Sequence, residues 1–320
     1  MATIKDVANK ANVSVATVSR VINNNGYVNE ETKRNVQRVI DEMHYVPNQL
    51  ARSLFLKKSK IIGVLVTKFS NDFVSELVDS IEKVASDNGY NIMICSSQDI
   101  PEREDRIIKV FEEYNVDGIL LMTNTNKFQN YTSLNIPIVT IDHIIEGIPF
   151  VSSNNFEGGM LAAKKLLERN PKKMIHFRGP SILFTVKDRT AGFNKIIEEK
   201  HIEVIEKDFP FEKANDQEFY EVLKNNLDVD AIFCDSDVLA LKTLQAASKL
   251  NLSSPNDFWI IGFDGSEMSK LSSPSLTTVN QSISEIGKTS VLKLLKLINK
   301  EKVNMVDYIP VNLIERESTE

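Results

Sequence analysis

The 320-residue chain carries two cysteines, four histidines and one tryptophan. Cys95 and Cys234 sit far apart inside apolar runs, which excludes a disulfide framework and a zinc cluster. His44, His143, His176 and His201 never fall at metal-ligand spacing, so no metal site is expected. No run approaches the ~20 consecutive apolar residues of a membrane-spanning helix. The opening Met1-Ala-Thr-Ile-Lys-Asp-Val lacks the charged start and apolar stretch of a secretory leader. Catalytic signatures are missing too. There is no Walker loop, and Asn154-Asn-Phe-Glu-Gly-Gly offers two adjacent glycines instead of a spaced dinucleotide fingerprint. No Gly-x-Ser-x-Gly elbow occurs. Asp235 and Asp237 stand i,i+2 at a strand end, where they should point apart, one of them capping the helix from Val238. The expectation is a cytoplasmic protein that is no enzyme, takes no cofactor and has no membrane partner.

What is present is an uneven charge. The net charge is -6, which on its face opposes a nucleic-acid partner. Residues 1–60, however, hold ten Lys/Arg against five Asp/Glu, while the remainder holds 28 against 39. A small basic head on a large acidic body suggests that the head alone meets phosphate. The length suits two or three domains at roughly 150 residues each.

The head reads as short helices in series. Thr3 is positioned to cap a helix carrying Ile4, Val7, Ala8 and Ala11, and Ser14 to cap a second running from Val15 to Ile22. Asn29 opens a third with Val36, Val39, Ile40 and Met43 inward. Val18, Val21 and Ile22 face the core of the second helix, leaving Val15, Ala16, Ser19 and Arg20 outward. Two short helices joined by a tight turn and braced by a third form a helix-turn-helix, whose second helix fits the major groove. Arg20 has the fork that reads guanine, Val15 and Ala16 offer apolar contact, and Thr17, Ser19, Asn23 and Asn24 suit phosphate. With the caps Thr3 and Ser14 they are the candidate DNA contacts. Spacing alone leaves an ordinary three-helix bundle open. A two-turn segment begins at Pro47, with Leu50 and Leu54 on one face, too short to fold alone. It is either a plain linker or a hinge helix needing a partner, whose leucines could wedge into the minor groove.

From Ile61 the texture changes to apolar runs separated by amphipathic stretches, as in a parallel sheet buried on both faces. Ile61–Val66, Asn91–Cys95, Gly118–Met122 and Ile136–Ile141 make a first set. Met174–Phe177, Ala231–Cys234 and Trp259–Phe263 make a second. Two α/β sheets predict a bilobed body with a ligand crevice beyond the carboxyl ends of the strands. The residues there are Ser70, Asn71, Asp72 and Phe73, then Asp142 and His143, then Asp235, Ser236 and Asp237, then Asp264 and Gln281. Arg189 is read as lying in the loop after Met174–Pro180. Carboxylates, amides and one Arg suit a polyhydroxyl ligand, with Phe73 or Phe211 covering a sugar ring.

"MATIKDVANKANVSVATVSRVINNNGYVNEETK" and "HYVPNQLARSL" are similar to the LacI/GalR family of bacterial transcription repressors, and the similarity runs over essentially the whole chain. It implies a helix-turn-helix head (1–46), a hinge helix and linker (47–58) and a bilobed periplasmic-binding-protein-like body of two parallel sheets (59–320). It also implies a homodimer on a palindromic operator, controlled by a small sugar effector. By position Val15, Ala16 and Arg20 match the family's base-reading residues, and Leu54 its minor-groove wedge. In the body, "IIGFDG" and "DRTAGF" resemble ribose-binding sequences. Asn71, Phe73, Asp142, Arg189, Phe211, Asp264 and Gln281 match ribose-contacting positions. The pattern departs at Val74, where an aromatic is expected, at His143 for an Arg and at Ser236 for an Asn. "EGIPFVSSNNFEGG" and "FRGPSILFTVKDR" resemble Gram-positive ribose-operon repressors most, sucrose-operon repressors being near. A free sugar-binding protein and a catabolite regulator with a phosphorylated carrier-protein corepressor are the alternatives. No leucine heptad comes after Leu313, which favours a dimer over a tetramer.

Overall fold

The computed structural model describes residues 2–23, 26–45, 58–69, 72–124, 131, 134–211 and 214–320. It divides the chain into a head, Met1–Ser59, and a body, Lys60–Glu320. The hinge expected from Pro47, with Leu50 and Leu54, lies outside the described residues, as do Asn24, Ser70 and Asn71. Asn23 ends a helix, and its side chain is outside them as well.

The head consists of α1 (Ile4–Ala11), α2 (Val15–Asn23) and α3 (Glu30–Glu42). Each starts on a side-chain cap, because the first amides of a helix have no partner within it. Thr3 and Asp6 form a reciprocal box at α1, with the Asp6 carboxylate accepting from the Thr3 amide at 2.8 Å. Ser14 Oγ accepts from the Thr17 amide at 3.1 Å, and Asn29 Oδ1 from the Thr32 amide at 2.7 Å. Val7, Ala8, Ala11, Val18, Val21, Val36 and Val39 make the core. Each buried valine contributes roughly 1.5–3 kcal/mol. Asn35 locks the turn by donating to the Ala11 carbonyl at 3.0 Å.

The body opens with β1 (Ile61–Val66), α4 (Asp72–Asp87), β2 (Asn91–Ser96), α5 (Pro101–Glu113), β3 (Gly118–Leu121), β4 (Ile138–Ile141) and β5 (Phe150–Ser153). Then come α6 (Asn155–Leu167), β6 (Lys173–Arg178), α7 (Phe184–Ile197), β7 (Glu203–Asp208), α8 (Asp216–Lys224) and β8 (Ala231–Cys234). The remainder is α9 (Asp237–Lys249), β9 (Trp259–Asp264), α10 (Glu267–Leu271), β10 (Thr277–Asn280), α11 (Ile283–Ile298), β11 (Val306–Ile309) and β12 (Asn312–Ile314).

These strands form two sheets, ordered β11-β5-β4-β3-β1-β2 in the first lobe and β12-β10-β9-β8-β6-β7 in the second. Alternation along β1 explains the layering. Ile62, Val64 and Val66 pack with Val74, Leu77 and Ile81 of α4, whereas Leu65 faces Ile108 and Phe111 of α5. The second lobe is layered the same way, with α8 and α9 on one face and α6 and α7 on the other. Parallel pairing holds throughout except at one edge, where β12 runs antiparallel to β10. The body is thus two mostly parallel sheets, as the apolar runs imply.

Among the described residues the chain crosses between lobes three times, at 153–155, 280–283 and 309–312. The sequence reading did not find β5, β7, β11 or β12, whose runs are short or polar.

Helices α6 and α7 touch backbone to backbone. A Cβ at Gly159 would collide with the Arg189 carbonyl, and one at Gly192 with the Phe156 carbonyl. Gly192→Ala should therefore push the helices apart, at a cost of about 1–3 kcal/mol. For a body of this size that corresponds to a melting temperature lowered by roughly 2–4 °C per kcal/mol. Calorimetry checks it; an unchanged melting temperature contradicts the close crossing.

Candidate binding cleft and nucleic-acid interface

On the head, α2 turns its apolar edge inward and its reading edge outward. Val18 and Val21 are buried, Thr17 and Ser19 half-buried, Ala16 and Arg20 exposed, and Val15 is 40% exposed. Arg20 makes no ion pair among the described residues, while Lys10 and Arg38 are both held by Glu42. Its stem runs along Gly26, whose φ of +86° needs a residue without Cβ. The hydroxyls of Thr3 and Ser14 are engaged first as caps. Tyr27, which the sequence reading passed over, stands 90% exposed one residue beyond Gly26.

In the body the polar residues gather where the lobes meet, around one cation. Arg189 is 5% exposed. It belongs to the second turn of α7, not to a loop as the sequence suggested, because the helix begins at Phe184. Its Nε donates to Asn155 Oδ1 at 2.8 Å and its Nη1 to the Asp235 carbonyl. The guanidinium carbon lies 3.8 Å from the centre of the Phe263 ring. Nη2 donates to no described residue.

Asn155, buried at the first position of α6, carries the network into the other lobe. Its Nδ2 donates to Ser152 Oγ at 3.2 Å, and Ser152 Oγ donates to Asp142 at 2.6 Å. Asp142 ends β4 in a left-handed conformation, φ +50°. At the next crossover Gln281, 1% exposed, donates from Nε2 to Asp264 at 2.5 Å, and its Oε1 has no partner among the described residues. Ser153 Oγ donates to the Gln281 carbonyl at 3.3 Å, tying two crossovers together. Phe150 of the first lobe meets Phe184 of the second edge to face at 6.1 Å.

The electrostatics derive from burial. Desolvation raises the carboxyl of Asp142, although Ser152 and the Arg189 charge hold it down. Desolvation, and then the neighbouring Asp237 charge, pushes Asp264 up to about 8 against the pull of Arg189 and Gln281. Asp264 also has φ +126°, a region that costs a residue with a side chain about 1–3 kcal/mol. Burial lowers His143 to about 4, so its imidazole is neutral at pH 7.

Several predicted residues turn out to be braces. Ser236 is the cap of α9, its Oγ accepting from the Leu239 amide at 3.2 Å. The expectation that Asp235 or Asp237 caps that helix is corrected. Asp237 accepts from the Ser266 amide and hydroxyl, both at 2.8 Å, and from Thr278 at 2.6 Å. Asp235 turns the other way, accepting from the Gly179 amide and from His176, both at 2.9 Å. Phe73 is buried in the first-lobe core, and the Phe211 ring lies over Gly179, where any Cβ would collide with it. The sequence reading missed Asn155 and Ser152; polar side chains inside the fully buried Phe150–Ser153 run were the available signal.

A helix-turn-helix head joined to a bilobed cleft of this kind defines a ligand-controlled DNA-binding regulator. The family model for bacterial regulatory proteins of the lacI family matches residues 3–48, and that for a periplasmic binding protein-like domain residues 163–319. The ribose operon repressor of Halalkalibacterium halodurans is 39% identical, covering 100% of this chain and 97% of that protein. The sucrose operon repressor of Streptococcus mutans is 34% identical, covering 99% of each. Among solved structures, a lac repressor dimer bound to operator and the anti-inducer ONPF matches with TM-score 0.91 and 25% identity, covering 99% of each chain. A LacI-type regulator from Alkaliphilus metalliredigens complexed with D-xylulofuranose matches with TM-score 0.75 and 32% identity, covering 82% of this chain and 99% of that one. The chain belongs to the LacI family of bacterial DNA-binding transcription repressors. Its described helices include none long and apolar enough to cross a membrane.

The cleft and the head each yield a test. The folded pKa of Asp264 lies above its ordinary value of 3.8, so the unfolded chain loses that proton first as pH rises. Stability therefore falls from about pH 4 to about 8. Asp264→Asn should melt higher than the parent, by a margin that widens across this range in differential scanning fluorimetry; a margin that does not change with pH contradicts the assignment. On the head, Arg20→Ala should weaken operator binding about tenfold, the loss of one guanine-reading fork, while non-specific DNA binding persists in gel-shift titrations. Equal operator affinity contradicts that role.

Proposed function

We propose that this repressor controls a sugar-utilisation operon in the cytoplasm and leaves its operator when a small uncharged sugar, ribose, enters the cleft. The observation that carries the ligand class is the set of hydrogen-bonding groups left open around Arg189. They are the Nη2 donors and Gln281 Oε1, flanked by the carboxyl groups of Asp142 and Asp264, which already accept from Ser152 and Gln281 and keep further lone pairs. Such a set matches alternating donor and acceptor hydroxyls. One cation already held by Asn155 and the Asp235 carbonyl, beside a neutral His143, leaves a phosphate dianion without a second positive charge among the described residues. Ribose is supported by the relatives: the H. halodurans protein and a 34% identical Bacillus subtilis protein are ribose operon repressors. The A. metalliredigens protein holds D-xylulofuranose, also a pentose.

In this reading residues 1–46 contact DNA through Thr3, Ser14, Val15, Ala16, Thr17, Ser19, Arg20 and Asn23. Residues 47–58 form the hinge with Leu54, and 59–320 bind effector and pair two copies on a palindrome. The sugar contacts are Asp142, His143, Arg189, Phe211, Asp264 and Gln281, with Asn71 the further contact expected from the sequence, while Phe73 and Ser236 brace the walls behind them. Sugar favours one lobe arrangement and the DNA-bound hinge the other, which suffices for coupling.

A second reading, a phosphorylated carrier protein as corepressor, has one observation in its favour. A concavity of about 410 Å³ on the first lobe is lined by Lys288, Lys293, Lys296 and Lys302. Two of these lysines are already paired, Lys288 with Glu285 and Lys293 with Asp307.

The test is an operator-release titration of the full chain by fluorescence anisotropy, with ribose, ribose 5-phosphate and sucrose. Ribose should release the parent, and Arg189→Ala and Asp264→Ala should bind operator normally yet stay bound. Normal release of both variants contradicts the cleft assignment, and release by sucrose alone contradicts ribose.

A further inference from the structure

A histidine outside the cleft is tied to it by a single side chain. His176, in the middle of β6, is 0% exposed. Its ring stacks on Phe233 with centroids 4.7 Å apart, and Phe193 lies 4.9 Å away on a tilted plane. Nε2 lies 2.9 Å from Asp235 Oδ1, and Nδ1 has no partner among the described residues. That pattern selects one tautomer. A proton on Nδ1 would be a buried donor without an acceptor, and a bare Nε2 would face a carboxylate lone pair to lone pair. His176 therefore donates from Nε2.

Asp235 then works in three directions. Its Oδ1 takes the His176 proton, its Oδ2 the Gly179 amide at 2.9 Å, and its own carbonyl accepts from Arg189 Nη1. Gly179 in turn is the backbone under the Phe211 ring. A shift of Asp235 would move both the carbonyl that holds Arg189 Nη1 and, through Gly179, the backbone under the Phe211 ring. Removing the His176 donor leaves one oxygen of a fully buried carboxylate unanswered, and Asp235 must shift to regain a partner.

We propose that His176 is a positioning residue for effector recognition, which through Asp235 fixes the carbonyl that holds Arg189 Nη1 and leaves the Nη2 donors open to ligand. The proposal rests on the cleft being the effector site, and its test separates the two. The variants are His176→Gln, which retains a donor at the same reach, His176→Leu, which does not, and Asp235→Asn as a second probe that keeps side-chain shape.

In operator-release titrations of the full chain with ribose, His176→Leu and Asp235→Asn should need about tenfold more sugar, the loss of one charge-assisted hydrogen bond. His176→Gln should stay within about twofold of the parent, and sugar-free operator affinity should be unchanged in all of them. Crystal structures of the variants are the sugar-independent arm: Arg189 Nη1 leaves the Asp235 carbonyl in His176→Leu and stays on it in His176→Gln. Parental release by His176→Leu, an equal loss in His176→Gln, or an unmoved Arg189 in His176→Leu overturns the proposal. A parent that ignores ribose overturns the ribose reading alone, and the crystallographic arm then decides.

Discussion

A guanidinium taken out of water costs several kcal/mol unless its donors and its charge are answered. Arg189 is such a group, and the second lobe is built to answer it. The Asn155 amide, the Asp235 carbonyl and the Phe263 ring hold it on three sides. Gly159 and Gly192 let α6 and α7 approach until the helix that carries it lies against the crossover that contains Asn155. Burial raises three carboxyl groups near it, Asp142, Asp237 and Asp264, and the Arg189 charge draws Asp142 and Asp264 back down.

This is also why the cleft is suited to control DNA at a distance. Its polar groups come from both lobes and from the crossovers that join them, so a ligand that completes their hydrogen bonds acts on the lobe arrangement directly. Asp264, strained in φ and raised in pKa, sits where β9 ends, and Gln281 sits on the crossover it contacts. A ligand that hydrogen-bonds Asp264 would therefore act on the contact between the end of β9 and that crossover. Only such a difference in affinity between two states shifts their populations.

Much of this was legible in the sequence. The caps Thr3, Ser14 and Asn29 are local, and the buried strands announce themselves as apolar runs. Asp142 and Asp264 are found because each stands at the carboxyl end of such a run, and Gln281 because it follows the short Thr277–Asn280 segment, where an open α/β sheet binds its ligand. The features that were not legible depend on distant partners. Arg189 reads as a loop residue because Gly179, Pro180 and Ser181 precede it, and only packing against Gly159 shows that the helix has already begun. Asp235, Ser236 and Asp237 look interchangeable in sequence. Which two of them brace depends on His176, Gly179, Ser266 and Thr278, between 29 and 59 positions away in the chain. Edge strands such as Glu203–Asp208, charged and exposed at four of six positions, carry no periodic signal strong enough to find alone. Net charge misled in the same way: the total is acidic, whereas the head that reads DNA is basic.

The central claim is that the cleft around Arg189 accepts an uncharged polyhydroxyl ligand and refuses its phosphate. Isothermal titration calorimetry of the full-length protein with D-ribose and with D-ribose 5-phosphate measures this directly. The account predicts saturable binding of ribose at one site per chain and no measurable heat from the phosphate at the same concentrations. Binding of the phosphate in preference to the free sugar would contradict it.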